Sequence, residues 1–423
     1  MRGKLNKSLE NHYGFKSALK IIEPEVMACN LPLRLDPYLG CAHNCTYCYA
    51  RALKTIRQQW NPESPKYIDT SLLQKYFSKV FSSKKPPESP LGRAIWNRVP
   101  IRIGTDTDPF QPCERTLKIT KKALEILNDN SYPYIITTKS DTVSEPEYVQ
   151  LLKTSPAGAI VQFTIISLDG DLVRRLEPGA PGISRRLTAM EKLRDEGIYV
   201  QTRISPIIPS LTDSEEDMEV LINTLREAGS KDLIVEYLRY NWLTRCWMTD
   251  ALNVKLSYFD EIYTKAYEEC SQSFPECCRL NKNRFKCQWT PRLKMINGYY
   301  RMPLRLKLEK YRKFKQQAER KGVRLFVCSE EFPEINACMN CCGITGEEAG
   351  KHLRFKHDNE ACANSLACLI RGRGRVSVED VLNSMFSIDE NTFKRQFNNL
   401  NKYLVNVKSN GLGGWMYEEI FPI

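Results

Sequence analysis

The stretch Asp36-Pro37-Tyr38-Leu39-Gly40-Cys41-Ala42-His43-Asn44-Cys45-Thr46-Tyr47-Cys48-Tyr49-Ala50-Arg51 sets three cysteines on one short loop at C-x3-C-x2-C spacing. Three thiolates so close together are soft ligands that suit an iron-sulfur cluster or zinc, and both normally take four protein ligands. The fourth is missing locally. A zinc knuckle would bring a second Cys/His pair at a short, regular distance, and only His43 lies inside the loop. The open position is therefore filled from far along the chain or left for a substrate.

The chain has 423 residues, enough for one large α/β domain with additions or for two to three small ones. With 42% hydrophobic and 26% charged residues it has ample material for a core. Met1 to Lys20 is polar and basic without an apolar stretch of signal-peptide type, and no run approaches the roughly 18 apolar residues of a membrane span. Sixteen cysteines in such a chain point to metal ligands and free thiols in a reducing compartment, so the expected location is cytoplasmic, with no membrane partner.

Downstream of the loop the pattern alternates. Short apolar runs rich in β-branched residues at Ile101–Thr105, Tyr134–Thr138, Ile160–Ile166, Tyr199–Ile204, Leu233–Leu238 and Val323–Val327 predict strands, with residues 31–36 as a further strand feeding the cysteines. Helical patterns separate most of them. Tyr49 to Gln59 predicts a helix after the loop. The clearest pattern is Glu215–Ala228, with Met218, Leu221, Ile222 and Leu225 on one face, Ser214 and Asp217 as a capping box and Gly229 as a stop. Strands alternating with helices predict parallel βα units, about six of them, which form an α/β fold of the open, partial (β/α)6 barrel type. Chemistry in such barrels sits at the C-terminal ends of the strands, where the cysteine loop stands after the first strand.

Polar motifs follow the later strands: Gly104-Thr105-Asp106-Thr107-Asp108-Pro109-Phe110-Gln111-Pro112 after the second, Thr138-Lys139-Ser140 at the third, and Ser167-Leu168-Asp169 leading to Arg174-Arg175-Leu176-Glu177-Pro178 after the fourth. Pro206 to Asp213 follows the fifth. With the cysteine loop and its Tyr47, these motifs resemble the radical S-adenosylmethionine (SAM) superfamily, and within it the spore photoproduct lyase-like, or DNA repair photolyase-like, group. The resemblance runs from about Leu31 to about Tyr240. It implies that Cys41, Cys45 and Cys48 ligate a [4Fe-4S] cluster whose open iron binds SAM. It also implies that Thr107, Asp108 and Lys139 approach the amino acid part of SAM, with Thr164 as a further contact. A carboxylate beside the ammonium and a lysine beside the carboxylate would complete a charge match. Arg203 on the fifth strand is read either as an inward-facing residue or, the commoner fate, as half of a surface ion pair.

The activity implied is reductive cleavage of SAM to a 5′-deoxyadenosyl radical, with an external electron donor as partner. The lyase after which the group is named uses a cysteine hydrogen donor after the second strand. Thr105 occupies that place here, and the nearest thiol, Cys113, is the candidate catalytic residue, set against a reading as a buried or incidental cysteine.

The formal net charge of +12 is concentrated. Residues 279–315 hold 13 Lys/Arg against the single Glu309, and the rest of the chain balances 49 basic with 49 acidic residues. Phe285, Trp289, Tyr299, Tyr300, Tyr311 and Phe314 are interleaved with them. Basic side chains neutralise phosphates and aromatics stack on unpaired bases, so Arg292, Lys294, Tyr299 and Arg301 are the candidate nucleic-acid contacts. The plainer reading is an amphipathic helix in which Leu304, Leu308 and Tyr311 pack while Arg305, Arg312 and Lys315 face water; the two are compatible, because a helix can pack on one face and contact phosphate on the other.

Cysteines gather again from 328 to 368, with Cys338-Met339-Asn340-Cys341 as a C-x2-C pair. Cys338 and Cys341, with Cys328, Cys362 or Cys368 to complete the set, are candidate ligands of an auxiliary iron-sulfur cluster or a zinc ion, set against a reading as free, buried cysteines. Arg371-Gly372-Arg373-Gly374-Arg375 then reads as a basic linker to a small helical module. The organisation expected is an N-terminal extension at 1–30, the barrel at 31–240, and a basic, aromatic insert with the last barrel elements at 241–327. A cysteine-rich metal-binding segment follows at 328–370 and the helical module at 371–423, giving a cysteine-rich, partly helical C-terminal extension. Three functions compete: a radical SAM enzyme acting on nucleic acid by base repair or modification, one that modifies a peptide or protein, and a non-catalytic zinc-bearing nucleic-acid-binding protein.

Overall fold

Eight strands form one sheet in the computed structural model, and they lie side by side in chain order. The structure describes residues 12–21, 33–85, 87–96, 98–273 and 298–328, with short strand segments at 295–296, 375–377, 407–409 and 414–417. The sheet strands are β1 (Leu19–Ile21), β2 (Leu33–Leu35), β3 (Ile101–Ile103), β4 (Tyr134–Thr138), β5 (Ala159–Thr164), β6 (Tyr199–Ile207), β7 (Asp232–Tyr237) and β8 (Arg324–Val327). From β2 to β8 every neighbouring pair is parallel. β1 pairs antiparallel with β2 and is an addition that the sequence pattern does not signal, being three residues long.

Parallel neighbours need crossover connections, and helices supply them. β2 is followed by α1 (Tyr49–Ile56) and α2 (Thr70–Phe81), β3 by α3 (Ile119–Asp129), β4 by α4 (Pro146–Lys153), and β5 by α5 (Gly170–Leu176) and α6 (Ile183–Asp195). β6 is followed by α7 (Glu215–Glu227), and β7 by α8 (Trp242–Leu252), α9 (Tyr258–Ser273) and α10 (Leu304–Arg320). Six βα units with β8 as a seventh parallel strand make the expected α/β partial barrel. α7 forms as its sequence predicts: the Ser214 hydroxyl accepts from Asp217 N, and Met218, Leu221, Ile222 and Leu225 are buried. Each such side chain contributes about 1.5–3 kcal/mol when fully buried.

The register divides the sheet into two unlike faces. Leu35, Ile103, Ile136, Val161, Val200 and Leu233 share one face and belong to the main apolar core beneath the helices. Arg102, Gln162, Gln201, Arg203, Asp232 and Arg324 lie on the other, which is largely polar. Hydrogen bonds span that face from strand to strand: Gln162 Nε2 donates to Gln201 Oε1 (2.7 Å), Gln201 Nε2 to Asp232 Oδ2 (2.8 Å), and Arg324 Nε to Asp232 Oδ1 (2.7 Å). Buried polar groups persist when they are paired in this way.

Arg203 belongs to this interior face. It is buried, donating to Gln162 Oε1 (3.4 Å) and to Cys328 Sγ (3.2 Å), so the surface ion pair expected as its commoner fate is not what forms. α10 packs its apolar face as the amphipathic reading expects, which leaves open whether its basic face also meets phosphate. Leu308, Tyr311 and Phe314 are buried, while Lys310 pairs with Asp213 (2.9 Å) and Lys313 with Glu215 (2.6 Å). Arg305 and Arg312 both pair with Glu309 (3.1 and 3.2 Å). No described helix is long and apolar enough to cross a membrane. In the C-terminal region three short strands, Arg375–Ser377, Val407–Ser409 and Gly414–Tyr417, pair antiparallel; the helices expected there lie outside the described residues.

Candidate metal centre

The cysteine loop leaves β2 and is clamped from two sides. From the β3 side, the Gln111 side chain reads its backbone in both directions, donating to Gly40 O (3.0 Å) and accepting from Ala42 N (2.9 Å). From the β5 side, Thr46 N donates to Leu176 O (2.9 Å) and Gly179 N to His43 O (3.1 Å). Gly179 is required by proximity: a Cβ there would lie 2.0 Å from Ala42 O and 2.9 Å from the His43 Cα. Gly179→Ala is therefore expected to displace the loop, lowering iron uptake on reconstitution several-fold while leaving the far-UV circular dichroism of the barrel in place.

Beneath the loop lies a charged brace. Glu177 and Arg186 form an ion pair (2.5 Å) with both side chains fully buried, and the Tyr47 hydroxyl donates to the Glu177 carboxylate. Arg186 also donates to Thr164 O (3.0 Å) and Pro181 O (2.7 Å), tying the loop to the end of β5. Sequence reading passes over Arg186, because nothing in its local pattern distinguishes it from a solvated helix residue.

Cys41 and Cys45 are buried and Cys48 is half-buried, all three as free thiols. Burial pushes the Cys41 thiol up to about 12 and raises those of Cys45 and Cys48 as well. Buried thiols in that state become ligands only when a cation compensates the thiolate charge, and metal uptake then releases their protons. Cys48 caps α1, its sulfur accepting from Arg51 N (3.4 Å), a helix N-terminus that favours negative charge. Three soft donors so placed fit an iron-sulfur cluster. Among the described residues no group of three or more Cys, His, Asp or Glu is arranged to hold a single metal ion.

The turn after β3 is organised by Asp36. Its carboxylate accepts from Thr105 N and Oγ1 (both 2.8 Å) and from Asp106 N (2.9 Å). Its pKa is raised, first by burial and then by the negative charge of Asp106. Thr107 is buried, and its hydroxyl donates to Tyr38 O (2.9 Å), linking this turn to the cysteine loop. Asp108 accepts from Phe110 N (2.9 Å), Thr138 Oγ1 (2.7 Å) and Lys139 N (2.7 Å), and His43 Nδ1 stands 3.2 Å from its Oδ2. Burial alone would raise Asp108, but the contact with His43 and the hydrogen bonds from Lys139 and Thr138 outweigh it and lower the carboxyl to about 2.

Lys139 emerges at the end of β4 with its ammonium 5.8 Å from the Tyr47 ring centre. Burial works against its charge, yet Cys45 and Glu177 close by raise its pKa, so the cation is held where the thiols are. Thr164 is buried at the end of β5, beside Arg203 across the parallel ladder and on the same polar face. Five of the expected site residues, Cys41, Cys45, Cys48, Asp108 and Lys139, thus meet around one loop.

Cys113 takes a different setting. It packs against the main apolar core next to Glu114, whose carboxylate accepts from Tyr38, from Tyr148 (2.7 Å) and from Thr120 N (2.9 Å). Burial, with Glu114, pushes the Cys113 thiol up to about 12. Cys328 stands at the end of β8, across the sheet from the cysteine loop on β2, in the Arg203 contact. Cys338, Cys341, Arg292 and Lys294 lie outside the described residues. Tyr299 and Arg301 are half-buried at a hairpin of Met295–Ile296 and Tyr299–Tyr300, which is docked by Tyr300 stacking on Tyr240 (5.0 Å) just past β7.

With this geometry in place, similarity in sequence leads to a group of proteins that includes a radical SAM enzyme. That relative is the radical SAM Nalpha-GlyT isomerase of Pseudomonas phage M6, 23% identical over 197 residues, which span 45% of this chain and 40% of the phage protein. An uncharacterized protein of Mycobacterium tuberculosis is 27% identical over 256 residues, spanning 59% of this chain and 72% of the relative. Among solved structures, a spore photoproduct lyase mutant superposes with a TM-score of 0.49 at 17% identity, over 74% of this chain and 79% of that one. No protein-family profile matches the chain.

Proposed function

We propose that this chain is a radical SAM enzyme, carrying a [4Fe-4S] cluster on Cys41, Cys45 and Cys48 with SAM at the open iron, and that it acts on a nucleic-acid substrate by base repair or modification. The observation that carries this reading is the three-thiol loop at the C-terminal end of β2, with Lys139 and Thr164 at the ends of β4 and β5 on the polar face of the same sheet. When bound, the cluster would supply one electron, received from an external donor, for reductive cleavage of SAM.

The chain's own residues hold and orient. Lys139 brings a fixed cation to the carboxylate of SAM, while Asp108 and Thr107 keep the turn after β3 against the loop. The Glu177–Arg186 brace keeps the loop backbone in one place, and the surrounding burial limits water around the thiols. Cys113 is the candidate hydrogen donor only as the nearest thiol after β3; its packing against the apolar core beside Glu114 equally fits a buried structural cysteine.

Nucleic acid is favoured as substrate by the basic, aromatic composition of 279–315 and by the hairpin carrying Tyr299 and Arg301 beside the end of β7. The test is anaerobic reconstitution with iron and sulfide analysis and an assay for 5′-deoxyadenosine, joined to binding of single- and double-stranded DNA and RNA across a salt series. A four-iron cluster, SAM cleavage and a salt-dependent complex weakened by neutralising Arg292, Lys294 and Arg301 are expected. A zinc-only protein that never cleaves SAM would sink the enzyme reading. A SAM-cleaving protein without any salt-dependent nucleic-acid complex would move the substrate to a peptide or protein.

A further inference from the structure

His43 and Asp108 form a buried pair with one end open. An ionised carboxylate offers about four lone-pair sites, and those of Asp108 are taken by Phe110 N, Thr138 Oγ1, Lys139 N and His43 Nδ1. No site remains for the ammonium group of a ligand. The carboxylate can only accept, so hydrogen-bond geometry assigns the shared proton to His43 Nδ1 and leaves Nε2 on the other side of the ring.

His43 is 2% exposed, and its Nε2 is buried without a hydrogen-bond partner among the described residues. Buried polar atoms seldom stay in that condition, because each forfeits its contacts with water. The ring is oriented by Nδ1 against Asp108, and the His43 backbone is held by its carbonyl accepting from Gly179 N. His43 also stands in the loop itself, between Cys41 and Cys45.

We infer that His43 Nε2 is a contact of the cofactor held by the cysteine loop, and that Asp108 serves as the positioning residue that fixes the imidazole rather than as a direct ligand contact. This rests on the cluster-and-SAM reading above. It assigns the loop histidine a role parallel to that of metal-site imidazoles whose orientation is set by a carboxylate behind them.

The test uses the full chain, reconstituted anaerobically, as wild type, His43→Asn and His43→Gln. The asparagine amide can still donate to Asp108 but places nothing at the Nε2 position, which the longer glutamine reaches. Iron and sulfide content, the midpoint potential of the cluster and the SAM dissociation constant are measured for each. His43→Asn is expected to load the cluster and to show either about tenfold weaker SAM binding, of the order seen when an outer-shell partner is lost, or a displaced potential. His43→Gln should lie nearer wild type. A changed potential without SAM locates the contact on the cluster, and weakened SAM binding at unchanged potential locates it on SAM; both support the inference. If His43→Asn loads fully and matches wild type in both measurements, the inference is overturned and His43 is a packing residue. If His43→Asn does not load, recovery with glutamine supports the contact and failure of both variants overturns it. A wild-type chain that takes no cluster overturns the proposed function and this contact together, whereas a loaded wild type indifferent to His43 overturns the contact alone.

Discussion

Alanine in place of Cys41, Cys45 or Cys48 is expected to reduce the reconstituted iron content from roughly four per chain to near background and to abolish 5′-deoxyadenosine formation. The three thiols sit on one short loop with its backbone fixed by Gln111, Leu176 and Gly179. The three variants should nonetheless fold alike. Each removes one small side chain from a loop whose position depends on backbone hydrogen bonds and on Glu177. Iron analysis, the visible absorption of the cluster and product chromatography check the first expectation, and far-UV circular dichroism checks the second. Retention of a full cluster in any one of the three would show that the loop does not supply the ligands.

Arg186→Met should have the largest effect on stability. It leaves Glu177 fully buried beneath the loop without its counter-charge, and breaking a buried pair from one side typically costs about 3–5 kcal/mol. The same change removes the guanidinium from Thr164 O and Pro181 O, so the end of β5 loosens together with the loop. The double variant Glu177→Gln with Arg186→Met removes both charges and should recover part of the loss. Urea titrations of the apo-protein give the stability differences, and iron loading reports the loop. With Glu177→Gln alone completing the cycle, single effects that simply add in the double variant would show that the pair contributes no coupling and that the loop is held by its backbone contacts alone.

Much of this arrangement is legible in the sequence because it is written in local patterns. The cysteine spacing needs only eight residues, and the strands announce themselves as short β-branched runs. α7 announces itself through the Ser214 cap and its apolar face. Features that depend on long-range pairing leave no such trace. Arg186 meets Glu177 across a Pro-Gly turn, and the composition of α6 reads as a solvated helix. Arg203 looks like a surface residue until the register places it opposite Thr164 and Ile234 on the interior face. The +12 charge of 279–315 looks wholly available to phosphates, whereas within α10 Lys310 and Lys313 are engaged by Asp213 and Glu215 on the neighbouring element. Asp108 stands out in the sequence through its motif, but its four bonding partners come from three separate stretches of chain.

The two unlike faces of the sheet bear unlike loads. Free energy for holding the fold together comes chiefly from Leu35, Ile103, Ile136, Val161, Val200, Leu233 and the helices over them. Lys139, Thr164, Arg203 and Cys328, at the C-terminal rim of the opposite face, contribute little to that layer. A substitution at the rim therefore disturbs the polar network of that face while the apolar layer under the helices stays in place.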